Sequence, residues 1–117
     1  MANPNIVNVT SIYGKTDVYL PTTTPTVYLW NDELNNQTYK LNVLMASNIT
    51  TSAQTITIYY GAAGGIIIAN AISVPANSSL TIIDKSNSIY IESGNGIFAS
   101  ASANSSFTLT ASYEVIS

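Results

Sequence analysis

Apolar and polar residues alternate along much of this chain. The closing stretch "SFTLTASYEVIS" shows it most plainly. Phe107, Leu109, Ala111, Tyr113 and Val115 fall on one side; Thr108, Thr110, Ser112 and Glu114 fall on the other. A strand sends successive side chains to opposite faces, so this pattern predicts a long strand with one face in a core and one face wet. "TITIYY" repeats it, with Ile56, Ile58 and Tyr60 opposite Thr55, Thr57 and Tyr59. In "KLNVLMASN", Leu41, Val43 and Met45 share one face and Leu44 and Ala46 the other, which predicts burial on both sides. No segment long enough for a stable helix carries the helical period.

Turn residues punctuate these runs at "GAAGG" (61–65), "VPANSSLTI" (74–82), "DKSNS" (84–88), "ESGNG" (92–96) and "SANSSFTLT" (102–110). Ala-Asn-Ser-Ser before a strand occurs at 76–79 and again at 103–106, which predicts one turn chemistry used twice. Turn signals every ~10 residues suit a sandwich or barrel. The first third is less regular. "NIVNVTSIY" reads as a strand, Gly14-Lys15 as a turn, and "LPTTTPT" as an extended connector, because proline is excluded from central strands. A strand then runs through Trp30 into a loop rich in Asn, Asp and Glu. The expected fold is all-β: an antiparallel β-sandwich, immunoglobulin-like or jelly-roll-like, with no significant helix. Residues 13–117 form the sandwich. Residues 1–12 are either its first strand or an arm that adds to a neighbour's sheet edge.

Composition narrows the role. The 117 residues fit one domain, and only 8% are charged, against about 25% in ordinary globular domains. The cations are Lys15, Lys40 and Lys85, and the net charge is −3. A nucleic-acid partner is not expected, because no basic stripe is available to displace counterions from phosphates. A membrane is not expected either, because no apolar run approaches the ~20 residues of a spanning helix. A chain that is 46% apolar and so weakly charged is expected to cover part of its surface with copies of itself or with a larger assembly.

Candidate chemistry is thin. Gly14-Lys15-Thr16 matches the tail of a phosphate-binding loop, but Val9 stands where the motif needs its first glycine, and a strand follows where a helix should. Histidine and cysteine are absent, which removes the usual general base, thiolate nucleophile and soft metal ligands. Asp84, Glu92 and Asn95 flank a short strand but lack calcium-loop spacing. Trp30, Tyr59, Tyr60 and Tyr90 suggest either a sugar platform or ordinary core and interface aromatics. The expectation is a non-enzyme with no cofactor and no catalytic or metal residues.

Four stretches carry a family likeness: "MANPNIVNVTSIYGKT", "IYYGAAGG", "ISVPANSSLTIIDKSNSIYIESG" and "SYEVIS". They resemble small virion structural proteins of tailed marine bacteriophages, notably cyanophage-type myoviruses. The likeness covers most of the chain and is weakest over "LPTTTPTVYLWNDELNNQ". It implies a virion β-sandwich subunit assembled in a bacterial host. The leading expectation is a capsid decoration protein, a homotrimer or other homo-oligomer bound to the major capsid protein. A neck, tail or fibre component and a glycan-binding attachment module are the alternatives. The expected contact residues are Asn3, Pro4, Asn5, Ile6, Val7 and Val9 in the opening segment, with Trp30, Asn31, Asp32 and Asn35 in the irregular loop.

Overall fold

The computed structural model describes residues 11–34, 36–62 and 65–117. Nine strands follow in order: β1 (Ile12–Tyr19), β2 (Thr26–Asn31), β3 (Thr38–Asn48), β4 (Gln54–Gly61), β5 (Ile66–Val74), β6 (Ser79–Ile83), β7 (Ile89–Ile91), β8 (Asn95–Ala101) and β9 (Phe107–Ile116). Among the described residues the one helical piece is a 3-10 turn, Lys85–Asn87, capped by the Asp84 side chain.

The strands form two antiparallel sheets packed as a sandwich. Sheet A has the order β1-β9-β3-β6, with β7 also pairing to β3; sheet B has the order β2-β8-β4-β5. With β6 and β7 taken as one interrupted strand, the chain crosses between sheets at every connection except the β4–β5 hairpin. That is jelly-roll winding and not that of an immunoglobulin domain.

The alternation read from β9 and β4 is how the core is built. Phe107, Leu109, Ala111, Tyr113 and Val115 from β9 meet Ile56 and Ile58 from β4, Ile97 and Ala99 from β8, and Leu29 from β2. Phe107, Ile56, Ile58, Ile97 and Leu109 are wholly excluded from solvent. At about 25 cal/mol per Å² of apolar surface removed from water, each such side chain contributes roughly 1.5–3 kcal/mol.

Three local expectations are corrected. Gly14-Lys15 is not a turn: both residues lie inside β1, opposite Glu114 and Tyr113. The ladder to β9 runs unbroken there, and an outer strand tolerates a glycine that a central one would resist. Strand β3 does not alternate strictly. Its pairing to β9 shifts between Leu41 and Val43, so Leu41 joins Leu44 and Ala46 inside while Val43 and Met45 turn outward. A bulge adds one residue and so reverses the phase of every side chain beyond it. The two Ala-Asn-Ser-Ser words also fold differently. The left-handed residue is Asn77 (φ 54°) in the first and Ser105 (φ 57°) in the second, one place later in the word. The first turn hangs on a bond from the Asn77 N–H to the Thr50 carbonyl, the second on the Ser106 hydroxyl to the Ala103 carbonyl. The first turn is tied to a residue distant in the sequence, whereas the second is closed within the word itself.

Residues 1–10 lie outside the described residues, as does Asn35, so Asn3, Pro4, Asn5, Ile6, Val7, Val9 and Asn35 are not placed. Ser11 exchanges two backbone hydrogen bonds with Ser117 (3.1 and 2.9 Å), and Ile12 pairs with Ile116. The sandwich therefore already includes residues 11 and 12.

Candidate self-association surface

The two long sides of the sandwich differ. On one side β1 and β2 are sealed by aromatic residues gathered around Asp17. Tyr28 stacks on Tyr19 with ring centroids 5.1 Å apart and donates its hydroxyl to the Asp17 carbonyl. Tyr113 donates to Asp17 Oδ2 at 2.7 Å and leans on Tyr39, 5.3 Å between centroids. Burial, reinforced by the bond to the Asp17 carboxylate, raises the Tyr113 hydroxyl well above the ordinary tyrosine pKa. Burial and the charge of Asp17 do the same to Tyr28.

The other side is open. Between β5 and the interrupted β6–β7 lies a cleft of about 790 Å³, lined chiefly by Ile68, Ile72, Leu80, Ile82, Ile89 and Tyr90, with Asn87 and Glu92 among its polar lining. Backbone irregularity explains the gap. Strand β5 carries extra residues relative to β4, where the register shifts between Ile56 and Ile58 and again between Ile58 and Tyr59. Ala71, at one of these bulges, has φ 45°, and its N–H is taken by Thr57 Oγ1 at 3.0 Å. Bulges bend a strand, and β5 has only β4 to hold it. On the facing lip the register of β6 against β3 also shifts, and the Lys85–Asn87 turn separates β6 from β7. One tie spans the end of the cleft: the Tyr60 hydroxyl donates to the Tyr90 carbonyl (3.2 Å) and accepts from the Glu92 N–H (3.3 Å).

Strand β5 contains no charged residue and no proline. Its first three residues, Ile66, Ile67 and Ile68, are 78%, 48% and 49% exposed. Outer strands are usually blunted by lysine, proline or cover. Strand β1, the outer strand of sheet A at the opposite side of the sandwich, carries Lys15 and Asp17. Of the three, Ile68 lines the apolar cleft and Ile67 falls on the outer face of sheet B; exposed apolar surface of this kind marks an interaction site.

The residues expected to make contacts are divided by the fold. Trp30 is 44% exposed on the outer face of sheet B, edge-on to Phe98 with centroids 6.4 Å apart. Asp32 is exposed, and its carboxylate accepts the Leu34 N–H at 2.9 Å. Asn31 departs from the expectation: it is fully buried, and its amide donates to the carbonyls of Gln37 (2.8 Å) and Ile91 (2.9 Å). Its side chain is enclosed by its own fold and presents nothing to a partner. The four aromatics considered for a sugar platform do not share one face. Tyr60 and Tyr90 border the cleft. Tyr59 instead lies in a row across the outside of sheet B, Val27–Phe98–Tyr59–Ile67, next to Trp30. Among the described residues no group of three or more acidic side chains is close enough to hold a metal ion. In the sequence Ile66 to Ile68 stand out only as a short apolar run; the bulges in their strand leave no local signal.

No family model matches the chain, and no curated protein matches it. Among solved structures it is similar to a protein from Bacillus endospore appendages, described as forming a novel family of disulfide-linked pili. The TM-score is 0.54 and the identity 14%, over 99% of this chain and 95% of that one. At that identity the likeness extends to the sandwich fold alone.

Proposed function

We propose that this chain is a structural subunit that works by associating with copies of itself in a larger protein assembly. The observation that carries this reading is the open side of the sandwich: an uncharged outer strand that begins with three exposed isoleucines and borders an unfilled apolar cleft. Such a surface gains free energy when a partner covers it. The composition agrees, since 8% charged residues give little means of keeping the patch solvated. The fold of the pilus protein offers a precedent for a subunit of this shape, but cysteine is absent here, so any assembly is non-covalent with respect to disulfides.

The sequence likeness to phage virion proteins suggests where the assembly belongs: a capsid shell, with neck, tail or fibre as alternatives. A decoration protein that binds only the assembled lattice stabilises it by mass action, about 4 kcal/mol per site at a thousand times Kd. A second reading, glycan attachment, is favoured by one observation, the exposed Trp30 beside Phe98 and Tyr59 on the outside of sheet B.

Light scattering over a concentration series tests the main reading, with electron microscopy of the concentrated protein. Growth into dimers or larger bodies, little changed by salt, is the expected result. A monomer at every concentration, together with glycan-array binding lost in Trp30→Ala, would favour the second reading instead.

A further inference from the structure

Resting on the self-association reading, we propose that two copies meet through their open sides about a twofold axis, β5 of each covering the cleft of the other. The bulges decide how β5 is covered. Its register against β4 shifts twice, Ala71 stands at φ 45°, and the Ala71 N–H is taken by Thr57 Oγ1. Bulges twist an edge out of line and so resist an added strand. What β5 offers a partner is therefore its side chains and not a ladder of backbone groups. Ile66 is the foremost of them. It pairs with Tyr60, a residue of the cleft lining, and is the most exposed large apolar side chain among the described residues.

A small apolar molecule of ordinary pocket size would fill the cleft but leave Ile66 and the outer edge of β5 in water. A second copy covers the cleft and the edge together. The charges fit a copy as well. The cleft lining holds one charged residue, Glu92, and β5 holds none, so neither copy sets a like charge against Glu92 when β5 covers it. The symmetry follows from placement. Strand β5 and the cleft lie on the same side of the molecule. When β5 of one copy covers the cleft of another, the second cleft faces the first β5. Such a contact is isologous and closes at two copies. Nine residues at ~3.3 Å make an edge about 30 Å long, and two sheets ~10 Å apart set its depth. That belongs with the smaller specific interfaces, below about 1,200 Å² in total, so the pair should exchange readily with monomer.

Two readouts test the pairing. The dye ANS binds exposed apolar surface. In the unaltered chain its fluorescence per chain should fall as concentration rises, because pairing takes the cleft out of reach. A signal per chain that does not fall while the chain assembles overturns the proposal. Crosslinking then locates the contact, since the chain has no cysteine of its own. Ile66→Cys is made in one chain and Leu80→Cys, Ile82→Cys or Ile89→Cys in another that carries a mass tag, so any mixed product joins different copies. Val18→Cys, exposed on β1 at the opposite side, is the control. Mild oxidation should give mixed dimers for at least one cleft position and none for the control. No mixed dimer at any cleft position, or an equal yield with Val18→Cys, overturns the proposal. A chain carrying both Ile66→Cys and Leu80→Cys should stop at a linked dimer, and a ladder of longer products would overturn the twofold. If the unaltered chain assembles while both readouts fail, self-association stands and this mode of pairing falls. A chain that stays monomeric at every concentration removes both.

Discussion

Trp30 packs directly on Gly96, its cross-strand partner in sheet B. A Cβ at position 96 would stand 2.8 Å from Trp30 Cε3 and closer still to the Leu29 carbonyl oxygen. Glycine leaves a gap in the sheet, and the indole covers it. Gly96→Ala must therefore push Trp30 off the sheet and strain β2. The expected loss is about 1–3 kcal/mol, the usual cost of overpacking. Trp30 is the one tryptophan of the chain, so its fluorescence reports both the displacement and the shift in denaturation midpoint.

Two buried asparagines hold the sheets together at opposite ends. Asn48, at the end of β3 in sheet A, donates to the carbonyls of Ser52 and Val74, the latter in sheet B. Asn31, at the end of β2 in sheet B, donates to the carbonyls of Gln37 and Ile91, the latter in sheet A. The two differ on the acceptor side. Asn48 Oδ1 takes the Thr50 N–H and hydroxyl at 2.9 and 2.7 Å, whereas Asn31 Oδ1 has no partner among the described residues. Either alanine substitution strands one buried carbonyl, Val74 or Ile91, and loosens a second that is part-buried, at roughly 1–3 kcal/mol. Asn48→Ala should cost more than Asn31→Ala, because it also releases Thr50. Urea denaturation of the two variants gives the order.

The aromatic cluster around Asp17 makes the fold sensitive to alkali. Tyr28 and Tyr113 have folded pKa values raised above the ordinary 10.0, so above that pH the unfolded chain loses protons that the folded chain retains. Unfolding is then favoured as pH rises. The stabilisation is complete below about pH 10 and falls above it, by at most about 1.4 kcal/mol per pH unit for each tyrosine. Denaturation midpoints from pH 8 to pH 11 should decline from about pH 10, and the Tyr28→Phe, Tyr113→Phe double variant should flatten the decline.

Much of this architecture can be read from the sequence where one residue type repeats at one spacing. Strand β9 alternates from Phe107 to Val115 because its inner face meets one continuous core, and a period of two is enough to place it. What could not be read depends on partners far away in the chain. The bulge that brings Leu41 inside with Leu44 is set against β9, some seventy residues later. Gly14-Lys15 looks like a turn until β9 is present to pair with it. Asn31 looks like an adhesive loop residue, but the carbonyl of Ile91 makes it an internal tie. The open cleft follows from register shifts in β5 and β6, which no local pattern announces.

Sedimentation velocity over a concentration series, run on the unaltered chain and on Ile66→Lys, tests most directly whether the open side is a self-association surface. Ile66 is 78% exposed, so a lysine there should change stability by no more than about 0.5 kcal/mol. The account predicts larger species for the unaltered chain as concentration rises, and a shift toward monomer for Ile66→Lys at equal stability. A single monomeric boundary for the unaltered chain at every concentration would contradict it, as would assemblies that Ile66→Lys leaves unchanged.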